Sequence, residues 1–132
     1  MKFKVYHATN WGLNSDLHFA DDEEFCKKNM PHLANYKPIR DNYKLVAIVE
    51  TSAIGETFRL TNHIDKEWQS NKGVTAFEHQ NRSTSVGDLV EDENGKLFLV
   101  ASIGFSEVEW DESGDYKVFK DENRGNTYLV RK

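Results

Sequence analysis

Residues 86–102 read VGDLVEDENGKLFLVAS, and they contain the clearest turn signal in the chain. The dipeptide Asn94-Gly95 stands between two apolar runs, and it favours the tight turn of a β-hairpin because both residues tolerate positive φ. The sequence therefore predicts one strand within residues 86–91, a second within residues 96–102 and a turn between them.

Other strands are predicted on both sides of this hairpin from apolar alternation and β-branched residues. Residues 43–50 are apolar enough to be buried on both faces of a sheet, so this strand is predicted to be central. Residues 105–110 and 116–120 are a candidate pair across Ser113-Gly114. The remaining predicted strands are residues 3–7 and 127–131.

The helices are predicted in the first half of the chain. Residues 20–28 form a short helix whose N-terminal end carries the acidic run Asp21, Asp22, Glu23 and Glu24. Carboxylates at this end are stabilised by the helix dipole, so the run indicates a helix start rather than a metal site. Residues 29–42, which hold both prolines, follow as a long loop.

A second helix is predicted after the central strand. Ser52 is in position to cap it, and Ile54, Phe58 and Thr61 recur at helical spacing. A helix of this spacing buries one apolar face against the sheet.

A further turn is predicted to carry Trp68, with Asn62 as its cap and Asp65 placed to assist that cap. Together these elements describe an α+β fold. It has an antiparallel β-sheet with a C-terminal meander and one to three helices in the first half.

The chain of 132 residues is expected to be one domain, with an N-terminal strand, short helix and loop over residues 1–42 and the sheet region over residues 43–132. Cys26 is the only cysteine, so no intramolecular disulfide forms, and the thiol is interpreted as packing. No apolar run has the length of a signal peptide core or a membrane span. The sequence therefore predicts a cytoplasmic protein that does not enter a membrane.

The net charge of −5 argues against a nucleic-acid partner, because affinity for phosphate backbones comes from clustered Lys and Arg. An acidic inhibitor of a DNA-binding enzyme stays open as an alternative. With 17 basic and 22 acidic side chains, such mimicry requires the two signs to be segregated in space.

Motifs for metal or cofactor binding are absent from the sequence, so neither is expected. The five histidines, which include His79, have no i, i+4 pair, and the chain has no HExxH motif, Walker loop or GxGxxG fingerprint. His63 and Asp65 are close in sequence but are interpreted as residues of a helix start. No catalytic residues are assigned.

An enzyme is the alternative from another class, using His7, His63 or Glu109. The segments Ser83-Thr84-Ser85 and Glu107-Val108-Glu109 resemble the Ser-Thr-Ser and Glu-x-Glu elements of arginine-type ADP-ribosyltransferases. A transferase of that kind needs the two elements around one nicotinamide cleft. The two glutamates are equally explained as the outward face of an alternating strand whose Val108 and Trp110 point inward.

A second resemblance covers about half of the chain. Residues 82–90 read RSTSVGDLV and residues 97–105 read LFLVASIGF, and both resemble the YodL-like domain, in which a Ser-x-Ser-Val-x-Asp segment leads into a hairpin ending in Asp-Ser-x-Gly-Phe. Residues 58–65 are similar to that family's helix and polar loop. Gly87 replaces a more usual serine, Ala101 stands where an aspartate is common, and residues 1–43 have no counterpart.

The resemblance implies an accessory domain of phages and other mobile elements without an established catalytic activity. In physical terms, Ser85 and Asp88 are expected to hydrogen-bond backbone at the start of a strand. Gly87 is expected to allow a bulge and Gly104 a turn into the next strand.

The function that follows from these observations is binding without turnover. We expect a non-catalytic phage or mobile-element accessory protein that binds a host or phage macromolecule, most simply a protein. Tryptophan and arginine are common interface anchors, so the candidate binding residues are Trp11, Trp68, Arg82 and Asp88. Both tryptophans are expected to be exposed, and open edge strands leave a homodimer open as well.

Overall fold

The computed structural model describes residues 1–20, 22–63, 67–77, 82–121 and 125–132. Within these residues the chain forms a six-stranded antiparallel sheet, a separate two-stranded sheet and three short α-helices, which confirms the α+β prediction. The strands are β1 (Lys2–Ala8), β2 (Tyr43–Glu50), β3 (Val74–Ala76), β4 (Leu89–Glu91), β5 (Leu97–Val100), β6 (Phe105–Val108), β7 (Tyr116–Lys120) and β8 (Thr127–Arg131). The helices are α1 (Trp11–Leu17), α2 (Glu23–Asn29) and α3 (Ile54–Leu60).

The first strand lies inside the large sheet, whose order is β3-β2-β1-β4-β5-β6. β1 pairs along its whole length with β2. On its other side, residues 4–6 of β1 pair with β4. A register shift between Val5 and Tyr6 interrupts the first of these ladders. β2 is also internal, as predicted from its apolar sequence, but the sheet centre is shared with β1 because β2 has only the short β3 beyond it.

The hairpin predicted from Asn94-Gly95 is confirmed. β4 and β5 pair antiparallel, with Val90 opposite Phe98, and Gly95 has a φ of 83° at the turn. Oδ1 of Asp92 accepts the backbone N–H groups of Asn94 and Lys96, at 2.9 and 3.0 Å, and so closes the loop. Gly104, with a φ of 72°, then turns the chain into β6, also as predicted.

The predicted pairing of residues 105–110 with residues 116–120 is wrong. β6 pairs with β5 at the edge of the large sheet, whereas β7 pairs with β8 in the second sheet. The hydrogen bonds of Asp111 explain why the predicted hairpin does not form. Its backbone N–H donates to the carbonyl of Pro38 at 2.8 Å, and its carboxylate accepts the N–H of Ser113. These bonds tie the segment to the 29–42 loop and end the strand before a hairpin can form.

The helix predicted for residues 20–28 begins later, at Glu23. Asp22 is its N-cap and accepts the N–H of Phe25 at 2.9 Å, and Glu23 and Glu24 occupy the first turn. The acidic run is therefore a helix start, as predicted, although Asp21 lies outside the described residues. The following loop contains two 3-10 turns, Pro31–Leu33 and Arg40–Asn42.

The helices differ from the prediction in two further respects. α1 was not predicted. The N-cap of α3 is Ala53, whose extended backbone (φ −143°, ψ 142°) leaves Ser52 one residue too far away to cap. Trp68 does lie in a 3-10 turn, Trp68–Ser70, but Asp65 lies outside the described residues.

The sheet is covered on both faces, because alternate residues of its strands enter two separate apolar clusters. Leu89 packs in one cluster with residues of α1, α2 and β8, and Val90 packs in the other with Trp68 and residues of α3. Cys26 is buried in the first cluster, where its Sγ donates to the carbonyl of Phe19, and burial raises its pKa. Its interpretation as a packing residue is confirmed.

Among the residues described here, no helix has the length and apolarity needed to cross a membrane.

Candidate functional site

The four predicted binding residues meet beside the C-terminal end of β1. Asp88 comes directly before β4, Arg82 lies in the loop that leads to it, and Trp11 is the first residue of α1. Trp68 packs beneath this loop. The sequence separates Trp11 from Arg82 by 71 positions, and only the fold brings them into contact.

Asp88 is the centre of the group and is completely buried. Its Oδ1 accepts the N–H of Ala8 at 2.9 Å and the side-chain amide of Asn14 at 3.0 Å. Its Oδ2 accepts the N–H of Ser85 at 2.8 Å. The carboxylate thus joins β1, α1 and the start of β4, and the predicted backbone role of Asp88 is confirmed.

Arg82 completes the coordination of this carboxylate with a bidentate ion pair. Nη1 lies 2.6 Å from Oδ2 of Asp88, and Nη2 lies 2.8 Å from Oδ1. The same guanidinium also donates to the carbonyls of Ser83 and Ala8 and to Oδ1 of Asn14, at 3.0 to 3.2 Å. Arg82 is therefore held rigidly, with its charge neutralised and 30% of its side chain exposed.

Asn14 belongs to this network and was not predicted. It is fully buried, and its Nδ2 donates to the carbonyl of Val86 at 2.8 Å as well as to Asp88. A Cβ at Gly87 would stand 3.1 Å from Cα of Asn14, and Gly87 has a φ of 93°. Gly87 therefore shapes the turn over residues 85–88 and lets α1 approach closely. The predicted bulge is confirmed, because the N–H of Gly87 donates to the carbonyl of Val100 and the N–H of Val100 donates to the carbonyl of Asp88, both at 2.9 Å, so that two residues lie opposite one.

His7 lies under the ion pair in a chain of hydroxyl groups. Oγ1 of Thr61 donates to the carbonyl of Thr57, and Oγ1 of Thr84 donates to Thr61, each at 2.7 Å. Because each hydroxyl has one proton, the contact of 2.9 Å between Nε2 of His7 and Thr84 has the imidazole as donor. Burial lowers the pKa of His7 to about 4, so the ring is neutral near pH 7.

This burial predicts a pH dependence of stability. Between pH 6.5 and about 4 the unfolded chain protonates His7 and the folded protein does not, so the free energy of unfolding falls as the pH falls through this range. The contribution reaches a slope of about 1.4 kcal/mol per pH unit. Urea denaturation at several pH values should show a flatter profile for His7→Gln than for wild type, and an unchanged profile would contradict the assignment.

The two tryptophans differ from each other, and only Trp11 has the exposure predicted for both. Trp11 is 56% exposed, and the guanidinium carbon of Arg82 lies 5.1 Å from its ring centroid. Trp68 is 0% exposed, so its predicted exposure is wrong. Its indole fills the cluster under α3, and its Nε1 donates to the carbonyl of Arg82 at 2.9 Å, so it supports the site from below.

The residues proposed for an enzyme do not converge. Thr84 is buried against His7, whereas Glu107 and Glu109 are exposed and lie 3.9 Å from Lys96 and Lys37 respectively. β5 separates β6, which carries Glu107, from β4, which follows Thr84. The two elements that resemble those of ADP-ribosyltransferases therefore lie apart.

The remaining histidine candidates also have structural partners. Nδ1 of His63 accepts the N–H of Trp68 at 3.2 Å, and His79 lies outside the described residues. Throughout the described part of the chain, no three His, Cys, Asp or Glu side chains are grouped to hold a metal ion.

Several exposed acidic side chains of the described residues are paired with basic ones. Exposed ion pairs such as Arg40 with Glu112 and Lys132 with Asp115 distribute positive groups among the acidic ones. Pairs of this kind interrupt the continuous negative face that mimicry of DNA requires.

Comparisons of this chain with family models, with curated proteins and with solved structures find no match, and the resemblance to the YodL-like domain stays a prediction.

Proposed function

We propose that the protein acts without turnover, by binding a partner protein through one exposed face of α1. Trp11, Ser15 and His18 are exposed at the i, i+4, i+7 spacing of a single helix face, and Phe19 continues it. We call these four residues the α1 stripe. The other side of the helix is buried, which fixes the stripe on the body of the protein.

The observation that carries the proposal is the rigid support of an exposed tryptophan. The indole of Trp11 lies over Arg82, whose guanidinium is itself held by Asp88 and three further acceptors. A large side chain that is already ordered loses little entropy on binding, so more of its burial energy appears as affinity. Tryptophan placed in this way is typical of interface hot spots.

The chemistry of the stripe indicates the kind of partner. It contains no carboxylate, and the charge of Arg82 is already neutralised by Asp88. Phe19 is 41% exposed and stacks on Phe25, with ring centroids 4.9 Å apart. The complementary surface is therefore a protein with an apolar pocket for the indole. The net charge of −5 makes a nucleic acid the poorer fit.

The resemblance to the YodL-like domain supports the same proposal, because it implies an accessory protein of a phage or mobile element that works in the cytoplasm of its host. Such a protein would meet host and phage macromolecules directly. The buried network of Asp88, Arg82 and His7 then serves to position the stripe, since Asp88 holds the guanidinium of Arg82 beneath the indole of Trp11.

Trp11→Ala is expected to weaken partner binding strongly while leaving the fold intact. Loss of a hot-spot tryptophan weakens binding by about thirtyfold or more. Phe77→Ala is the matched control, because Phe77 is an aromatic residue of similar exposure, 51%, beyond β3. The measurement is affinity capture from expressing cells with wild type and both variants, followed by titration of the purified partner.

The proposal fails if no protein is enriched, or if a protein captured by wild type binds Trp11→Ala with unchanged affinity. Sedimentation of the purified protein over a range of concentrations tests the predicted homodimer separately, because β3 and β6 are the two edges of the large sheet.

A further inference from the structure

A cavity of about 290 Å³ lies between the loop over residues 32–39 and β8, and it belongs to no part of the α1 stripe. At about 30 Å³ for each water molecule, this volume corresponds to roughly ten waters or one small organic molecule. Leu13, Leu33 and Ile39 are buried side chains that give it apolar walls. A site of this kind needs polar groups at fixed positions to orient a ligand.

Two polar side chains of the cavity lining, Tyr128 and His32, are hydrogen-bonded to each other, and Tyr128 is also bonded to Asp16 behind the lining. Asp16 is completely buried, and its Oδ2 accepts the hydroxyl of Tyr128 at 2.6 Å. That bond uses the phenolic proton, so the contact of 2.9 Å between Tyr128 and Nε2 of His32 has the imidazole as donor. His32 also stacks on Phe119 at 4.1 Å, which holds the ring in place.

The mouth of the cavity carries an excess of one positive charge among its lining residues. Lys37 and Arg131 line it together with one carboxylate, Asp111. Asp111 already accepts the N–H of Ser113 at 2.9 Å, and Lys37 lies 3.9 Å from Glu109, which is 83% exposed and therefore screened by water. Arg131 makes no ion pair within 4.0 Å among the residues that the structure describes.

The wall between this cavity and the solvent includes Asn35, the one described non-glycine residue with positive φ, at 52°. Asparagine adopts this left-handed conformation more readily than most other residues with a side chain, so it suits a tight turn in this wall. Tyr36 next to it is fixed by a bond of 2.7 Å between its hydroxyl and that of Tyr43.

We propose that this cavity binds a small organic acid with a single carboxylate and an apolar body. The carboxylate lies at the mouth and pairs with Arg131, with Lys37 beside it, and the apolar body lies between Leu13 and Ile39 above Tyr128 and His32. One excess positive charge suits a monoanion, whereas a phosphate dianion would leave one negative charge uncompensated beside Asp111.

Titration with benzoate tests the proposal, with the backbone amide signals of residues 34–37 and 129–131 as the measurement. Benzoate should shift these signals with saturation, and the uncharged benzamide and the dianion phenyl phosphate should bind at least about tenfold more weakly. Arg131→Gln should weaken benzoate binding by about tenfold. Lys132→Gln is the matched control, because Lys132 is the next residue and pairs with Asp115 outside the cavity lining.

Three results would overturn the assignment. The first is the absence of a saturable shift at these residues with benzoate. The second is equal affinity of wild type and Arg131→Gln. The third is binding of benzamide or phenyl phosphate as tight as that of benzoate. Capture of a protein by Trp11 is unaffected by any of these outcomes, so the two proposals fail independently.

Discussion

Replacing Asp88 with alanine is expected to lower the free energy of unfolding by about 3–5 kcal/mol, the range for breaking a buried ion pair by removing one partner. The carboxylate accepts from Arg82 and Asn14 and from the backbone N–H groups of Ala8 and Ser85. Without it, these donors are left without their acceptor inside the protein, and each costs free energy. Urea denaturation at neutral pH measures the change.

Asp88→Asn should not rescue this loss. The amide has the size of the carboxylate, but its NH₂ group would face a donor, because donors approach both oxygens of Asp88. Asp115→Ala is the control, since Asp115 is exposed and its pair with Lys132 lies on the surface. A change within about 0.5 kcal/mol is expected for that control. Equal stability of Asp88→Ala and wild type would contradict the role assigned to the network.

Trp68→Ala is the second substitution with a large expected effect, a loss of about 3–5 kcal/mol in the free energy of unfolding. The indole is fully buried between β1 and α3 and lies edge-on to His7, with ring centroids 6.1 Å apart. Its removal leaves a cavity and also frees the carbonyl of Arg82, which accepts from Nε1. Thermal and urea unfolding should agree on the loss.

The variant Trp11→Ala is the control for Trp68→Ala, because the same substitution is made at an exposed tryptophan. Trp11→Ala removes a side chain that is mostly exposed, so its unfolding free energy should stay within about 0.5 kcal/mol of wild type. Trp68→Phe keeps most of the packing and loses the hydrogen bond, so an intermediate loss of about 1–3 kcal/mol is expected. If Trp11→Ala is destabilised as strongly as Trp68→Ala, the separation of binding anchor and buried support is wrong.

Local chemistry made the hairpin and the acidic helix start predictable from sequence. Asn94-Gly95 favours one turn type strongly, and Asp22 can cap a helix wherever that helix packs. The same local logic failed at Ser113-Gly114. There the turn signal is real, but Asp111 binds the distant Pro38 and directs the chain away from a hairpin.

α1 was missed because its buried face is largely polar. Gly12, Asn14 and Asp16 are buried beside Leu13 and Leu17, so the segment lacks the apolar periodicity that indicates a helix. Asn10, which caps the helix by accepting the N–H of Gly12 at 2.7 Å, was the available signal. Without α1, neither Asn14 nor the contact between Trp11 and Arg82 could be predicted.

The position of Trp68 shows why residue type alone does not separate an anchor from a core residue. Each tryptophan is the first residue of a short helical segment, and both make a contact with Arg82. One contacts the guanidinium from the solvent side and the other contacts the main chain from the interior. Only the packing of α3 and the turn at Trp68–Ser70 against the sheet decides between them.

The central place of β1 has a consequence for synthesis on the ribosome. Lys4 lies opposite Ile48 on one side and opposite Glu91 on the other. As the chain emerges, β1 can join β2 early, but its second side has no neighbour until β4 has been made. The nascent protein therefore passes through a stage in which the future middle of the sheet is an open edge, the condition in which strands are most prone to pair with the wrong chain.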